Sequence, residues 1–267
     1  MPWGHTLDHR QTFLEYTEAK RERMLERLRH TKSINESFLP PDKPHEEISV
    51  LDAGCGMGIQ ALLWARDGYQ VTGIDIDADL INRGRLEAVK ERLDVQWHVG
   101  DIGNCSLPDN SFDVCVASEL LEHVPDWRPV FETLCRLTKP GGVCFVSTTN
   151  VLCPRQNEFR LPLYSWWPGP LKRRMEQLAR TSRPALANYT DYPAVNWFNY
   201  LQLKREFRQR GLNAFDRVDV TDLSTKSFPK RAIFRTVRVF PPARFAMHLL
   251  WDGTMVVGQK PDDGSSF

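Results

Sequence analysis

The segment from Val50 to Gly58 reads Val-Leu-Asp-Ala-Gly-Cys-Gly-Met-Gly and constrains the fold more than any other part of the chain. Its apolar start is typical of a buried strand, and glycines at alternate positions predict a tight turn into a helix. Free backbone N–H groups at such a helix N-terminus favour a carboxylate or a phosphate. The segment therefore predicts a ligand-binding loop between a strand and a helix.

Strands and helices alternate after this loop, as in a parallel α/β sheet. Apolar runs predict strands over 48–53, 71–75, 95–99, 112–117, 143–147, 213–220 and 254–259, and helices over 59–67, 79–93 and 127–137. We expect the late pair of strands to place an antiparallel member at the sheet edge. The predicted fold class is α/β, a seven-stranded, mostly parallel Rossmann-like sheet with helices on both faces and an inserted lid.

Changes in composition divide the chain into four predicted regions. They are an N-terminal region over 1–47, a ligand-binding core over 48–150, a lid insertion over 151–195 and a fold-completing part over 196–267. The first is predicted to be a helical cap over 7–30 followed by a proline-containing linker over 31–47. The lid insertion is predicted to contain a helix within 171–180. The last region is expected to begin with a helix over 197–210, capped by Asn196, and to contain a second insertion at 221–250.

The charge of the chain is unevenly distributed, although its formal net value is only +1. Residues up to Asn150 include 16 basic and 24 acidic side chains, whereas 151–250 include 18 and 7. The basic half favours an anionic substrate or surface; solvated surface charge is the alternative. Six cysteines without a C-x-x-C pair predict buried thiols rather than a disulfide framework or a zinc site. With neither a signal peptide nor an apolar run of about 20 residues, we expect a cytoplasmic protein.

Three aspartates stand at the ends of successive predicted strands. Asp52 would repel a pyrophosphate but could accept hydrogen bonds from an ammonium group. Asp75 could accept both hydroxyls of a ribose, and Asp101 could accept a hydrogen bond from an adenine amine, with Ile102 beside the ring. Each aspartate alone is equally typical of a helix cap or a turn. Together they predict an adenosine ligand that carries an amino acid.

These segments, with Glu119-Leu-Leu-Glu-His123-Val and Leu137-Thr-Lys-Pro-Gly-Gly142, resemble class I S-adenosylmethionine-dependent methyltransferases. The glutamate-histidine segment is most similar to the group of ubiquinone-biosynthesis O-methyltransferases. The resemblance covers residues 48–150 and the late strands, and it implies S-adenosylmethionine as the cofactor. The residues assigned to cofactor binding are Asp52, Gly54, Cys55, Gly56, Asp75, Ile76, Asp101, Ile102 and Ser118.

Glu119, Glu122 and His123 are the predicted catalytic residues. A hydroxyl acceptor must lose its proton as it attacks the methyl group, and a histidine of near-neutral pKa suits that task. His123 is therefore the predicted base, with the two glutamates orienting it. Alternatively, the three side chains bind a divalent cation such as Mg²⁺ that lowers the pKa of the acceptor, or they only shape the loop.

Aromatic and polar residues of the first insertion are predicted to bind the acceptor, with an ordinary aromatic core as the alternative. They are Asn150, Arg155, Tyr164, Trp166, Trp167, Tyr192 and Trp197. The tryptophan pair beside Lys172-Arg173-Arg174 also predicts peripheral membrane contact.

The predicted function is O-methylation of a small molecule, with a phenol, a sugar or a lipid-linked head group as the acceptor. That acceptor is expected to be anionic or lipophilic. Two alternatives remain: an RNA or protein methyltransferase that uses the basic half, and a cofactor-binding scaffold without catalysis. The Asn/Asp-Pro-Pro-Tyr signature of amino-group methylation is absent where Ala117-Ser-Glu-Leu stands. No RNA-binding module is visible either, so a nucleic-acid partner is not expected.

Overall fold

A computed structural model of the chain describes residues 21–190 and 192–262. The helix predicted over 7–30 thus lies partly outside the described residues. Its described part, α1 (Arg21–Glu36), continues into the segment predicted as a linker, so that the linker begins only after Glu36. Among the described residues, no helix is long and apolar enough to cross a bilayer.

A seven-stranded sheet forms the centre of the structure. Its strands are β1 (Ser49–Ala53), β2 (Gln70–Asp75), β3 (Val95–Val99), β4 (Phe112–Ser118), β5 (Thr138–Thr149), β6 (Asn213–Asp216) and β7 (Gly253–Gln259). They lie in the order β3-β2-β1-β4-β5-β7-β6. The first five are parallel, and β7 runs antiparallel to both β5 and β6. The predicted fold class is confirmed, but the antiparallel β7 lies one place inside the edge because β6 pairs with its outer side.

Helices cover both faces of the sheet. They are α2 (Ile59–Arg66), α3 (Ala78–Glu91), α4 (Trp127–Leu137), α5 (Gly169–Thr181), α6 (Tyr200–Gln209), α7 (Arg217–Val220), α8 (Phe228–Val239) and α9 (Pro241–His248). On one face, Phe131 of α4 and Phe207 of α6 pack with ring centroids 4.6 Å apart. On the other face, Leu62 and Trp64 of α2 are buried in a second apolar layer. The parallel strands therefore end at one edge between two apolar layers, where ligands of such sheets bind.

The start of α6 differs from the sequence prediction. The helix begins at Tyr200 rather than Trp197, because Asn199 is its cap and accepts a hydrogen bond from the N–H of Gln202 at 2.9 Å. Asn196, the predicted cap, instead donates its amide to two carbonyls of the loop after β4.

The sixth strand is shorter than the predicted 213–220. It ends at Asp216, whose side chain accepts a hydrogen bond from the N–H of Val218 at 2.9 Å and so starts α7. A buried capping aspartate ends the extended backbone here although the apolar residues continue.

Gly258 of β7 leaves no room for a side chain. A Cβ at this position would lie 2.3 Å from Cδ1 of Phe207, a ring that is itself completely buried. We expect Gly258→Ala to lower the free energy of unfolding by about 1–3 kcal/mol, the usual cost of overpacking a core. Urea denaturation followed by circular dichroism measures this loss. Gly100→Ala is the control, since nothing lies within 4 Å of a Cβ there; equal losses in both variants would contradict the packing argument.

Candidate active site

The glycine loop after β1 folds onto the end of β2. Gly54, Gly56 and Gly58 have φ angles of 70°, 52° and 76°, in the left-handed region that favours glycine. The N–H of Gly54 donates to the carbonyl of Ile74 at 2.8 Å, and the N–H of Gly56 donates to Oδ2 of Asp75 at 2.8 Å. The loop and the second predicted ligand carboxylate are thus brought into direct contact.

Asp52 is buried in β1 and has an unsatisfied oxygen. Its Oδ1 accepts a hydrogen bond from Nε2 of Gln60 at 3.3 Å, while its Oδ2 is buried without a partner among the described residues. Burial raises the pKa of this carboxyl to about 7. A buried carboxylate without a cation is costly, so the arrangement fits an ammonium group delivered by a ligand.

Gln60 is a site residue that the sequence analysis missed. Besides its contact with Asp52, its Oε1 accepts a hydrogen bond from the hydroxyl of Ser118 at 3.1 Å. The amide thereby links β1, α2 and β4. A single buried polar residue in the otherwise apolar start of α2 was the available signal.

Asp75 ends β2 beside an exposed apolar residue. Its Oδ1 accepts a hydrogen bond from the N–H of Asp77 at 2.9 Å, and each carboxylate oxygen can accept a second bond. Burial raises its pKa above the ordinary value. The neighbouring Ile76 is 60% exposed, which offers an apolar surface to a ring. Both residues fit the nucleoside side of the predicted ligand.

Asp101 has the capping role that the sequence left open as an alternative. Its two oxygens accept hydrogen bonds from the N–H of Gly103 at 2.8 Å and from the amide of Asn104 at 2.6 Å. Ile102, predicted to lie beside a ring, is packed into the core next to α4. Cys55 is half-buried, and burial raises the pKa of its thiol.

Glu119 follows β4 with a left-handed backbone, φ 55°. Such a conformation costs a non-glycine residue roughly 1–3 kcal/mol and is often found at functional sites. Its N–H donates to the carbonyl of Ser147 at 2.8 Å, and the Ser147 hydroxyl donates to Oε1 at 3.0 Å. Oε2 lies 3.6 Å from Nη1 of Arg27. The side chain is thus held in place by β5 and α1.

Three carboxylates converge beside this point. Oxygens of Glu119, Glu122 and Glu158 all lie within 4.8 Å of one another. Glu122 is completely buried; its Oε2 accepts a hydrogen bond from Thr148, and its Oε1 has no partner among the described residues. Burial, followed by the charges of Glu119 and Glu158, holds the pKa of Glu122 well above its ordinary value. This oxygen set could hold a hard divalent cation, and Glu158, not His123, is its third member.

His123 lies against the first insertion. It hydrogen-bonds with the backbone of Tyr192, and its Nδ1 is buried without a partner in the described part of the chain. Burial lowers its pKa below the ordinary value. The imidazole is therefore held in the neutral form, which is the form that accepts a proton.

A cavity of about 1000 Å³ opens at the carboxyl ends of β4 and β5. Glu119 and Ser147 line it from the sheet, His30 from α1, Arg217 from α7 and Lys226 from the segment before α8. Burial lowers the pKa of His30, and the charges of Arg217 and Lys226 lower it further. Basic side chains, among them Arg217 and Lys226, and acidic side chains, among them Glu119 and Asp252, therefore face the same cavity.

The seven residues predicted to bind the acceptor do not line this cavity. They are Asn150, Arg155, Tyr164, Trp166, Trp167, Tyr192 and Trp197. The side chain of Asn150 is used within the fold: its amide donates to the carbonyls of His248 and Trp251, and its Oδ1 accepts a bond from the N–H of Leu152.

The aromatic residues of the insertion form a small core of their own. Tyr164 is completely buried, stacks on Phe159 at 4.2 Å and lies 5.6 Å from both Trp167 and Trp197. The alternative of an ordinary aromatic core describes the surroundings of Tyr164. Of the others, Trp166 and Tyr192 are exposed, and Arg155 reaches the carbonyl of Leu250 on the outer surface.

Residues 51–146 match the family described as Methyltransferase domain. This stretch is therefore similar to a methyltransferase domain. It is 39% identical over 102 residues to a ubiquinone biosynthesis O-methyltransferase from Xanthomonas oryzae pv. oryzae (strain PXO99A). The alignment covers 38% of this chain and 43% of that protein, so the chain spans less than half the length of this curated relative.

Solved structures share the fold around the methyltransferase domain. Phospholethanolamine N-methyltransferase 2 from Haemonchus contortus, solved with phosphomonomethylethanolamine and S-adenosylhomocysteine, matches with a TM-score of 0.55 and 18% identity, over 88% of this chain and 53% of that chain. The 4+2 cyclase SpnF matches with a TM-score of 0.53 and 20% identity, over 88% and 82%. Proteins of different named activities thus share this fold, and the reaction must be argued from the site.

Proposed function

We propose that this protein transfers the methyl group of S-adenosylmethionine to a hydroxyl oxygen of a small molecule held in the 1000 Å³ cavity. The observation that carries the proposal is Oδ2 of Asp52, which is buried without a hydrogen-bond partner among the described residues. Asp52 lies on β1, and the neighbouring strand β4 leads to Glu119 at the cavity wall. An ammonium group would satisfy that oxygen, and the adjoining loop and Asp75 suit the rest of such a cofactor.

Each part of the loop has a role in this proposal. Asp52 accepts hydrogen bonds from the ammonium group, and N–H groups at the start of α2 bind the carboxylate. Asp75 accepts the ribose hydroxyls, while Ile76 packs beside the ring. When bound, S-adenosylmethionine supplies an electrophilic methyl group on a sulfonium. The protein holds the acceptor hydroxyl in line with that methyl group, which is the main catalytic requirement of an already activated donor.

His123 is the proposed base, because its lowered pKa leaves a neutral imidazole ready to accept the hydroxyl proton, although it is not among the residues that line the cavity. Glu119 is the rival base, since it lines the cavity itself. A divalent cation on Glu119, Glu122 and Glu158 is the second alternative, supported by the close approach of their oxygens. In that case the three carboxylates would position the cation so that it stabilises the acceptor oxygen as an alkoxide.

The acceptor is proposed to combine an anionic group with an apolar body. Arg217 and Lys226 face the cavity with positive charge, and Phe145 and Phe234 add apolar wall. The guanidinium of Arg217 lies 4.9 Å from the ring centre of Trp251, and this contact orients the Arg217 side chain. A phenol or a lipid-linked head group bearing an acidic substituent has this combination of properties.

Methyl transfer can be tested without knowing the acceptor. Purified protein and S-adenosylmethionine labelled in its methyl group are incubated with cell extract, which is then separated into lipid, small-molecule, protein and RNA fractions. We expect label in the lipid or small-molecule fraction, and no transfer by Asp75→Ala. Label in RNA or protein would favour those rivals, and no transfer to any fraction would favour a non-catalytic scaffold.

A further inference from the structure

The segment between Asp222 and Asp252 contains no acidic residue and forms α8 and α9. It carries six basic residues: Lys226, Lys230, Arg231, Arg235, Arg238 and Arg244. Arg231, Arg238 and Arg244 are used within the fold: the first two donate to backbone carbonyls and the third to Asp216. Lys226, Lys230, Arg231 and Arg235 form no ion pair with a carboxylate of the residues that the structure describes.

Large apolar side chains of the same segment are exposed to solvent. Their exposed fractions are 84% for Phe228, 81% for Val239, 65% for Leu250, 53% for Ile233, 53% for Phe240 and 41% for Phe245. Single exposed apolar residues are ordinary, but a cluster on one segment marks a contact surface.

Helical spacing brings charge and apolar surface together. Phe228, Arg231, Arg235 and Val239 follow one another at intervals of three and four residues, so they share one face of α8. The opposite side is turned inward, with Val237 buried and Phe234 lining the cavity. We call the exposed side chains of residues 228–250 the α8–α9 face.

We propose that the α8–α9 face docks on the surface of a lipid bilayer that contains anionic lipids. Exposed apolar side chains gain by entering the boundary of the hydrocarbon, and unpaired lysines and arginines gain from lipid phosphates. A second copy of this chain would place the two basic surfaces against each other. RNA would match the charge but would give the aliphatic Val239 and Leu250 no apolar environment.

The membrane surface predicted from the sequence lies elsewhere, at Trp166-Trp167 and Lys172-Arg173-Arg174. Lys172 is unsuited to that role, because it is buried, donates to the carbonyl of Ser165 at 2.7 Å and lies 4.4 Å from the ring centre of Trp197. The α8–α9 face has more exposed apolar side chains and lies directly behind one wall of the cavity. Docking there would bring the cavity close to molecules dissolved in the bilayer.

Cosedimentation with vesicles tests this inference independently of methyl transfer, since no cofactor is added. The full chain is mixed with vesicles of phosphatidylcholine alone or with added phosphatidylglycerol. We expect binding only when phosphatidylglycerol is present, weakened by salt. Arg231→Glu with Arg235→Glu should weaken binding at least tenfold, given about 1 kcal/mol for each basic residue near the surface. Phe228→Ser with Val239→Ser should also weaken it.

Matched controls distinguish this face from general surface properties. Arg173→Glu with Arg174→Glu changes the same charge on α5, and Leu86→Ser with Val89→Ser removes two exposed apolar residues of α3. Both pairs should bind vesicles like the wild type, with unchanged thermal melting for every variant. Absence of wild-type binding to phosphatidylglycerol, or equal losses in the control pairs, would overturn the proposal. The proposal would also be overturned if the α8–α9 variants bound vesicles normally but failed to dimerise in sedimentation velocity or to bind RNA.

Discussion

Replacing His123 with alanine is expected to reduce turnover at least ~100-fold while cofactor affinity changes by less than about twofold. The residue belongs to the segment after β4 and not to the glycine loop, so its loss should spare the cofactor. Because burial lowers its pKa, the wild-type rate should be constant near neutral pH. It should fall only as the pH drops through that lowered pKa, where the imidazole becomes protonated and can no longer act as a base.

Glu119→Gln separates the alternatives to a histidine base. Full turnover in His123→Ala together with a large loss in Glu119→Gln would assign the proton transfer to the carboxylate that lines the cavity. Loss of activity on dialysis against a chelator, with recovery on addition of Mg²⁺, would instead support a cation held by Glu119, Glu122 and Glu158. Calorimetry with S-adenosylhomocysteine is the control, because it shows that each variant still folds and binds.

The contact between the glycine loop and the carboxylate that ends β2 could be predicted from the sequence because it is local. A strand, a glycine loop and the carboxylate that ends the next strand lie within Val50–Asp75, and the parallel sheet brings their ends together. The role of Gln60 could not be predicted, because its partners Asp52 and Ser118 come from two different strands. The sequence does not determine the surroundings of Ile102, because an apolar residue after a strand can face either a ligand or the core.

The acceptor side could not be predicted in the same way, because its wall comes from segments far apart in the chain. The cavity is lined by α1, α7 and the segment before α8, which share no sequence pattern. Conversely, the aromatic residues around Tyr164 have the composition of a binding pocket but pack on one another. Composition alone does not separate a core from a pocket.

Asp75→Ala is expected to weaken binding of S-adenosylhomocysteine at least ~100-fold, since hydrogen bonds to a charged group contribute about 1.5–3 kcal/mol each. The same change removes the acceptor for the N–H of Gly56 and so loosens the loop itself. Asp75→Asn keeps the size of the side chain but removes its charge, and it should lie between the wild type and Asp75→Ala. Asp79→Ala, an exposed carboxylate of α3, is the matched control and should bind normally.

The central claim is that the loop after β1 and the carboxylates beside it bind a methionine-bearing adenosine. Isothermal titration of S-adenosylhomocysteine and of NAD⁺ into the wild-type protein tests this claim most directly. We expect saturable one-site binding of S-adenosylhomocysteine, lost in Asp75→Ala, and no measurable binding of NAD⁺. Binding of NAD⁺ without binding of S-adenosylhomocysteine, or full affinity in Asp75→Ala, would contradict the account.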